Sequence, residues 1–326
     1  MLITRTPLRI SIGGGGTDLP SYYRRFGATV ISAAINRYIY ISINRTFVPD
    51  YFIKYSSLER VTTIGEIQHP LVREALQLVS LEPGVEIVSM ADIPSGTGLG
   101  SSGAFTVGLL RALYAFRREH VTASALAEMA CQIEIDRLGQ PVGKQDQYIA
   151  AFGGLTSFEF HKDDRVTVTP LAISLNTLHD LEEHLLLFFT GYARTAGSIL
   201  SDQKQRSEAA DPAMLDSLHH TTELGLRIKA ALEVGDTHEF ARTMREHWHH
   251  KRARSGGMSN EEIDRWYRLG LENGALGGKL VGAGAGGFLM FYAENPARVR
   301  AAMTSEGLEE VRFFFDHDGS SVLVRD

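Results

Sequence analysis

The stretch Pro94-Ser-Gly-Thr-Gly-Leu-Gly-Ser-Ser-Gly103 joins a strand-like run, Val85-Glu-Ile-Val-Ser-Met90, to a helix-like run that begins near Ala104. Its glycines let the backbone approach a ligand closely and take turns that a Cβ atom would forbid. The following helix points its unpaired N–H groups and the positive end of its dipole back at this loop. Because phosphate oxygens bind to such an arrangement, the sequence predicts a phosphate-binding loop here.

An ordinary turn and a dinucleotide-binding loop are the alternative interpretations of this stretch. Gly96, Gly98 and Glu119 fit the spacing of a dinucleotide fingerprint, and a glycine pattern alone is a weak signal. The paired hydroxyls of Ser101 and Ser102 favour a nucleoside triphosphate, because a hydroxyl there can cap the helix or hold a Mg²⁺ that bridges phosphates. No Walker-type Gly-x4-Gly-Lys-Ser/Thr loop occurs in the chain.

The composition indicates a globular protein of one large or two ordinary domains, since the chain has 326 residues of which 44% are hydrophobic. A formal charge of −6 argues against a general nucleic-acid binder. No apolar run is long enough to span a membrane, and the N-terminus lacks the apolar core of a signal peptide. The single Cys131 suits a reducing compartment, so we expect a cytoplasmic protein without nucleic-acid or membrane partners.

Strand and helix signals alternate in the first half of the chain, whereas helices from about 198 to 273 dominate the second. Residues 9–12, 29–33 and 37–44 are predicted strands, and two helices are expected after the glycine loop, at about 104–117 and 123–138. The chain then returns to strands, including 288–292 and 311–315. These signals predict an α+β protein with two domains, residues 1–170 and 171–326.

Two more glycine clusters flank the central loop along the chain. In Ile12-Gly-Gly-Gly-Gly-Thr-Asp18, the glycines leave room for a ligand, and the Asp18 carboxylate can accept hydrogen bonds from two sugar hydroxyls. The alternative is a flexible turn in which Asp18 caps a helix. In Gly277-Gly-Lys-Leu-Val-Gly-Ala-Gly-Ala-Gly-Gly287, no helix follows closely, so this cluster is expected to pack against another loop, with the loop 94–103 as a candidate.

Two acidic residues are candidates for chemistry. Asp146, in Gly143-Lys-Gln-Asp-Gln-Tyr148, lies at a predicted loop-to-helix junction, where it either orients or deprotonates a hydroxyl or caps the helix. Glu134 falls on a helical stripe of small apolar residues, where a carboxylate is costly unless it is paired or binds a metal. We therefore assign Glu134, and not Asp136, to a metal.

The basic and histidine-rich segments have less specific interpretations. His247-Trp-His-His250 lacks the further ligands of a zinc site, so a solvated helix face is favoured. The run Lys251-Arg-Ala-Arg254 is expected at the surface, with binding of a substrate phosphate as the alternative.

With these residues in place, the chain resembles the GHMP kinases, which include galactokinase, homoserine kinase, mevalonate kinase and phosphomevalonate kinase. The stretch 94–103 resembles their second motif, Thr6-Pro-Leu-Arg-Ile-Ser-Ile12 the first, and Gly282-Ala-Gly-Ala-Gly-Gly287 the third, in family order. The resemblance implies an N-terminal domain like domain 2 of ribosomal protein S5 and a ferredoxin-like C-terminal domain.

The resemblance also implies the roles of individual residues. Asp146 matches the catalytic aspartate and Arg9 the basic residue beside it, while Ser102 and Glu134 match the ligands of Mg²⁺. Thr17 and Asp18 match the pair that binds sugar hydroxyls in galactokinases. The residues expected around the ATP phosphates are Pro94, Gly96, Gly98, Leu99, Gly100, Ser101, Ser102 and Gly103.

One departure bears on the substrate. Galactokinases carry Gly-Glu-His before Thr-Asp, whereas this chain has Gly14, Gly15 and Gly16, which opens space for a larger sugar. The motifs look most similar to the branch that phosphorylates the C1 hydroxyl of D-glycero-D-manno-heptose 7-phosphate. The expected substrate-binding residues are Gly15, Gly16, Thr17, Asp18, Gly143, Lys144 and Arg194, with Lys144, Arg194 and Arg252 as candidates for the 7-phosphate.

Other functions remain open at this point. A fucokinase-like or galactokinase-like sugar kinase is the nearest alternative within the family. A non-catalytic sensor of sugar and ATP, which an ADP-release assay would separate, and a dinucleotide-dependent oxidoreductase are alternatives of other classes. The sequence leaves the sugar, its anomer and the oligomeric state undetermined.

Overall fold

A computed structural model describes residues 1–191, 197–254, 257–284 and 286–325 of the chain. The strands are β1 Leu2–Gly13, β2 Ala28–Arg45, β3 Tyr51–Lys54, β4 Leu58–Val61, β5 Val85–Ala91, β6 Leu155–Phe160, β7 Val166–Pro170, β8 Leu185–Phe189, β9 Ala275–Val281, β10 Phe288–Ala293, β11 Glu309–Glu310 and β12 Ser321–Arg325. The helices are α1 Pro20–Phe26, α2 Pro70–Val79, α3 Ser101–Phe116, α4 Ala123–Cys131, α5 Gln145–Phe152, α6 Leu175–His184, α7 Gly197–Glu208, α8 Pro212–Glu233, α9 Thr237–Arg254, α10 Glu261–Glu272 and α11 Pro296–Ser305. A 3₁₀ turn covers Ile64–Glu66, and a π-helical segment, Gln132–Arg137, continues α4.

The first sheet is built around β2. Its strands follow the order β12-β1-β2-β5-β3-β4, and β6, which also pairs with β7, joins the N-terminal half of β2. In β2 the side chains of Ile39, Ile41 and Ile43 are buried while those between them are partly exposed, as the period-two pattern of this segment predicts. Residues 29–33 and 37–44, predicted as separate strands, thus belong to one long strand.

The second sheet has the order β11-β8-β10-β9 and is antiparallel throughout. The long helices α8 and α9 pack against each other and connect the two sheets, since α8 contacts β1 and β2 while α9 contacts β9. A large apolar core reaches from the first sheet to these helices, and a smaller one lies between the second sheet and α10 and α11. The region enclosed by β1, α5, α9 and β9 holds the cavity described below.

One predicted strand needs correction. Residues 311–315 were expected to form a strand, but most of this segment lacks ladder pairing, and Phe315 forms only an isolated bridge to Ile35. Its backbone groups form isolated hydrogen bonds instead. The Phe314 N–H, for example, donates to the side-chain oxygen of Asn36.

The end of the chain departs from the predicted division at residue 170. That boundary coincides with the end of β7, but β12 pairs with β1 in the first sheet, so residues 321–325 do not stay with the second sheet. The two-domain division itself remains a prediction. Among the described residues, no helix combines the length and the apolar character that crossing a membrane requires.

Candidate active site

The loop 94–103 ends in a helix start that faces open space. Gly100 takes a left-handed conformation, with φ of 76°, immediately before α3, and Gly96 and Gly98 also have positive φ values. Pro94 and Gly96 are exposed, as is the Ser102 side chain in the first turn of α3. Gly100 and Gly103, on either side of the serine pair, are buried, and binding of phosphate by this loop stays a prediction.

The third glycine cluster packs against this loop. A Cβ atom on Gly282 would lie 2.6 Å from the Gly98 Cα atom, and one on Gly287 would lie 2.1 Å from the Thr97 carbonyl oxygen. Glycine is required at both positions because their φ values, 85° and 106°, are also in the left-handed region. The expected packing role is confirmed, and the partner is the loop 94–103, the candidate expected from sequence.

Asp146 and Arg9 form an ion pair beside the loop. Arg9 Nε donates to Asp146 Oδ1 over 2.7 Å, and Arg9 also donates through Nη1 to the Gly98 carbonyl. The Arg9 side chain is only 8% exposed, whereas Asp146 keeps 30%, so the carboxylate still faces the cavity. Gly103 permits this arrangement, because a Cβ atom there would lie 2.8 Å from the Asp146 Cβ atom.

Asp18 is held in a buried position by backbone groups. Its carboxylate accepts hydrogen bonds from the Gly16 and Gln145 N–H groups, each over 3.0 Å. Burial raises the pKa of Asp18, while the Gln145 N–H acts in the opposite direction and the nearby Asp146 charge raises the pKa further. Since Gly143 approaches Asp18 so closely that a Cβ atom would lie 1.9 Å from Oδ2, the glycine makes room for this carboxylate.

Ser102 and Glu134 are in direct contact. The Ser102 hydroxyl donates to one Glu134 oxygen, and the Gln147 amide donates to the other over 2.9 Å. Glu134 is fully buried on the π-helical segment, and burial raises its pKa to about 7 against the opposing effect of these two hydrogen bonds. The two residues assigned to Mg²⁺ are therefore brought together by α3 and the segment 132–137.

A cavity of about 90 Å³ lies beside Asp146 and Asp18, and its lining does not include the loop 94–103 or Glu134. Asp18, Arg9 and Asp146 contribute to its wall, together with Gly15, Gly16 and Gly143. Its remaining polar lining comes mainly from residues of α7, α9 and β9, namely Gln203, His247, Lys251, Arg254 and Lys279. One cavity thus combines the predicted catalytic pair with most of the predicted substrate-binding residues.

Other predicted substrate contacts lie elsewhere. The Thr17 hydroxyl is buried and donates to the Gly14 carbonyl, so it stabilises its own loop. Lys144 Nζ donates to the Glu128 carboxylate over 3.1 Å, and Arg252 pairs with Asp264 over 2.8 Å outside the cavity. Each of these cations is thus paired with a carboxylate, and neither lines the cavity. Arg194 lies outside the described residues.

Three of the cations that line the cavity were not predicted from sequence to be buried there. In the run Lys251-Arg-Ala-Arg254, the two end residues point inward and are buried, contrary to the surface expected for this segment. Their spacing of three places both on one helix face, a signal that was available in the sequence. Lys279 was missed altogether, and its position between glycines at the start of the third cluster was the only local indication.

The histidines divide between the cavity and the surface. His247 is 2% exposed and lines the cavity, whereas His220 and His250 lie near Glu246 on the outer side of α8 and α9. Arg227 already forms an ion pair with Glu246 over 2.8 Å. This cluster takes no part in the site around Asp146.

The structure places Asp18 and the Asp146–Arg9 pair in one cavity beside the loop 94–103, and comparison with known proteins identifies the class of protein. The model of the GHMP kinases N terminal domain matches residues 68–154, and that of the GHMP kinases C terminal domain matches residues 228–309. The chain belongs to the GHMP kinase family, whose members use ATP as phosphate donor. The predicted α+β fold and kinase class are confirmed, and the oxidoreductase interpretation is excluded.

Individual relatives indicate which kind of kinase this chain resembles. The D-glycero-alpha-D-manno-heptose 7-phosphate kinase of Campylobacter jejuni is 31% identical over 89% of each chain. A crystal structure described as a D-glycero-D-manno-heptose 1-phosphate kinase from Bacteroides thetaiotaomicron matches with a TM-score of 0.80, 25% identity and full coverage of both chains. The L-fucokinase/L-fucose-1-P guanylyltransferase of Bacteroides fragilis is 26% identical over 92% of this chain but only 36% of its own length. Sugar kinases are therefore prominent among its relatives.

Proposed function

We propose that the protein transfers the γ-phosphoryl group of ATP to the anomeric C1 hydroxyl of D-glycero-D-manno-heptose 7-phosphate. The product would be the 1,7-bisphosphate, used for nucleotide-activated heptose and surface polysaccharide. The juxtaposition of the Asp146–Arg9 pair and Asp18 in one cavity carries this proposal, because it provides a group for the reacting hydroxyl and a group for neighbouring sugar hydroxyls. The similarity to the Campylobacter jejuni enzyme supports the choice of sugar.

In the proposed reaction, the C1 oxygen attacks the γ-phosphorus while the bond from that phosphorus to the β–γ bridging oxygen breaks and ADP leaves. The hydroxyl proton passes to the Asp146 carboxylate, which is open enough to release it to water. Arg9 fixes the orientation of Asp146 and offsets negative charge near the transferred group. Since an anomeric hydroxyl is more acidic than an ordinary alcohol, positioning by these residues contributes more than base strength.

The loop 94–103 holds the ATP phosphates in this proposal. Backbone N–H groups at the start of α3 stabilise the charge that develops on the transferred and leaving oxygens. Ser102 and Glu134 fit a Mg²⁺ site, because they supply a hydroxyl and a carboxylate, the hard oxygen donors that this ion prefers. Glu134 also has no cationic partner in the described part of the chain. A bound Mg²⁺ would neutralise charge on the phosphate oxygens.

A panel of sugars tests the substrate. Purified protein is assayed for ADP release with heptose 7-phosphate, free heptose, fucose and galactose, and the product is located by ³¹P NMR. We expect turnover to be highest with heptose 7-phosphate and a new phosphorus signal coupled to the anomeric proton. Faster turnover of free fucose or galactose would overturn the substrate, and absence of ADP release with every sugar would favour the non-catalytic sensor.

A further inference from the structure

Three buried cations surround one end of the cavity. Lys251 and Arg254 project from α9 and Lys279 from β9, and their exposed fractions are 7%, 6% and 3%. Within the described ranges, none of the three forms an ion pair with a carboxylate; their hydrogen-bond partners are backbone carbonyls and hydroxyls. Burying a charge without a counter-charge is costly, so such a group requires a compensating role.

Each cation keeps donors for a ligand. Lys251 donates to the Gly282 carbonyl and Lys279 to the Ile12 carbonyl, and each ammonium carries three N–H donors in all. Arg254 uses Nε and Nη2 on the hydroxyls of Ser217 and Thr221, while its Nη1 lies beside Gly16, 3.1 Å from the position of an added Cβ atom. The remaining N–H groups therefore face the cavity between the glycine-rich segments 12–18 and 277–287.

His247 provides an independent indication of a ligand. It lines the cavity, is 2% exposed, and neither of its ring nitrogens has a hydrogen-bond partner. Burial and the charges of Lys279 and Lys251 hold its pKa well below the ordinary range. A neutral imidazole retains one N–H group, so it can donate to an anion without adding to the local positive charge.

We propose that Lys251, Arg254 and Lys279, with His247, bind the phosphate that the sugar substrate already carries and thereby select sugar phosphates over free sugars. This inference rests on the proposed function, since it assigns one part of the same substrate. The site would take a phosphomonoester dianion, and it is an alternative to Lys144, Arg194 and Arg252, the candidates for this phosphate from sequence.

The γ-phosphate of ATP is the other anion that could reach these residues. Lys251 lines the cavity but is also near the loop 94–103, because its carbonyl partner Gly282 packs on Gly98. Arg254 lies on the sugar side, next to Gly16 and to Gln203, whose amide donates to the Gly16 carbonyl over 2.6 Å. Because Arg254 extends toward Gly16, the phosphate of the sugar is favoured over the γ-phosphate of ATP as its ligand. The two possibilities predict different changes in the kinetic constants.

The test compares Arg254→Met and Lys251→Met with Arg242→Met, a matched control on the same helix whose cation is paired with Glu239 outside the cavity. For wild type and variants, kcat/KM is measured with heptose 7-phosphate and with free heptose, together with KM for ATP. Loss of a hydrogen bond to a charged group predicts a fall of tenfold or more for heptose 7-phosphate. Free heptose and KM for ATP should change less than about threefold in Arg254→Met, and Arg242→Met should resemble wild type.

The outcomes separate this inference from the function on which it rests. If the wild type uses free heptose as well as its 7-phosphate, the proposed substrate is wrong. If the wild type prefers the 7-phosphate and both cavity variants keep the full preference, the anion site is wrong while the function stands. A rise in KM for ATP with an unchanged sugar preference would assign the cations to ATP and overturn the inference. Thermal melting confirms that each variant is folded.

Discussion

Gly143 and Asp18 show how one missing side chain determines the position of another. The Asp18 carboxylate fills the space that a Cβ atom on residue 143 would occupy, and it accepts the N–H groups that hold it there. From sequence, Asp18 was predicted to bind sugar hydroxyls, and the structure places it in the wall of the cavity. The reason for a glycine at 143, which is 125 residues away along the chain, was visible only in three dimensions.

Gly143→Ala should therefore weaken sugar binding without affecting ATP. The added methyl group would displace Asp18, so we expect KM for the sugar phosphate to rise tenfold or more, the effect of losing one charge-assisted hydrogen bond. Steady-state kinetics with each substrate varied in turn provide the measurement. Gly65→Ala is the control, since no heavy atom lies within 4 Å of its Cβ position. An unchanged KM in Gly143→Ala would show that Asp18 does not bind the sugar.

Asp146→Asn should lower kcat by about 10² to 10⁴, the range of general acid–base catalysis. The amide oxygen can still accept the hydrogen bond from Arg9, so the fold should survive, which circular dichroism checks. Sugar and ATP binding, measured by calorimetry, should change little. A loss below about tenfold would remove Asp146 from the proton transfer and leave it a structural partner of Arg9.

At the scale of elements, the π-helical segment after α4 is the clearest departure from the sequence pattern. A continuous helix over residues 123–138 was predicted, but residues 132–137 adopt the wider π spacing. Such segments often occur at functional sites. The apolar stripe correctly marked Glu134 as buried. The change in winding has no local signal in the sequence; the segment packs against α2, and Glu134 reaches α3 and α5 through Ser102 and Gln147.

Glu134→Gln tests the role of this segment. A carboxamide is a poorer Mg²⁺ ligand than a carboxylate, so the Mg²⁺ concentration for half-maximal activity should rise about tenfold or more. Because the buried site loses a charge that is costly to bury, thermal stability without Mg²⁺ should be retained or increased. Titration of activity with Mg²⁺ at saturating ATP is the measurement, and an unaltered Mg²⁺ requirement would count against ligation.

The contact between the loop 94–103 and the glycine-rich segment 277–287 leads to a separate prediction. Gly282→Ala would strain the backbone and also press on Gly98, so we expect lower stability together with a higher KM for ATP. Gly307→Ala is the matched control, because its φ of 81° is similar to the 85° of Gly282 but no heavy atom lies within 4 Å. If the two variants behave alike, backbone strain explains the effect and the contact between the loops does not matter.

At the scale of the whole molecule, the protein maintains positive charges in its interior. Burial lowers the pKa of Lys251 to about 7, with further contributions from Arg254 on the same helix and Arg9 on β1. Lys279 on β9 is shifted in the same direction. These buried cationic groups favour the binding of an anion, but they lower the stability of the protein when no anion is bound. Such a cost in stability is usual at functional sites.

The pH dependence of stability follows from the Lys251 shift. Between pH 7 and the unfolded value near 10.4, the unfolded chain binds more protons, so the free energy of unfolding should rise with pH from this residue, by at most about 1.4 kcal/mol per unit. Lys251→Met removes this contribution and should be more stable than wild type at pH 7, with the difference shrinking by pH 9. Urea unfolding at both pH values measures it. A difference that is constant or grows with pH would contradict the buried charge.

The pairing of β12 with β1 has a consequence for the order of synthesis. Leu2 pairs with Arg325, so one edge of the first sheet is completed only by residues made about 300 positions later. At translation rates of roughly 5–20 residues per second, β1 waits tens of seconds for this partner. During that interval its exposed edge is open to strands of other nascent chains. Among the strands of the described structure, β1 therefore has the sheet partner that is synthesised the longest time after it.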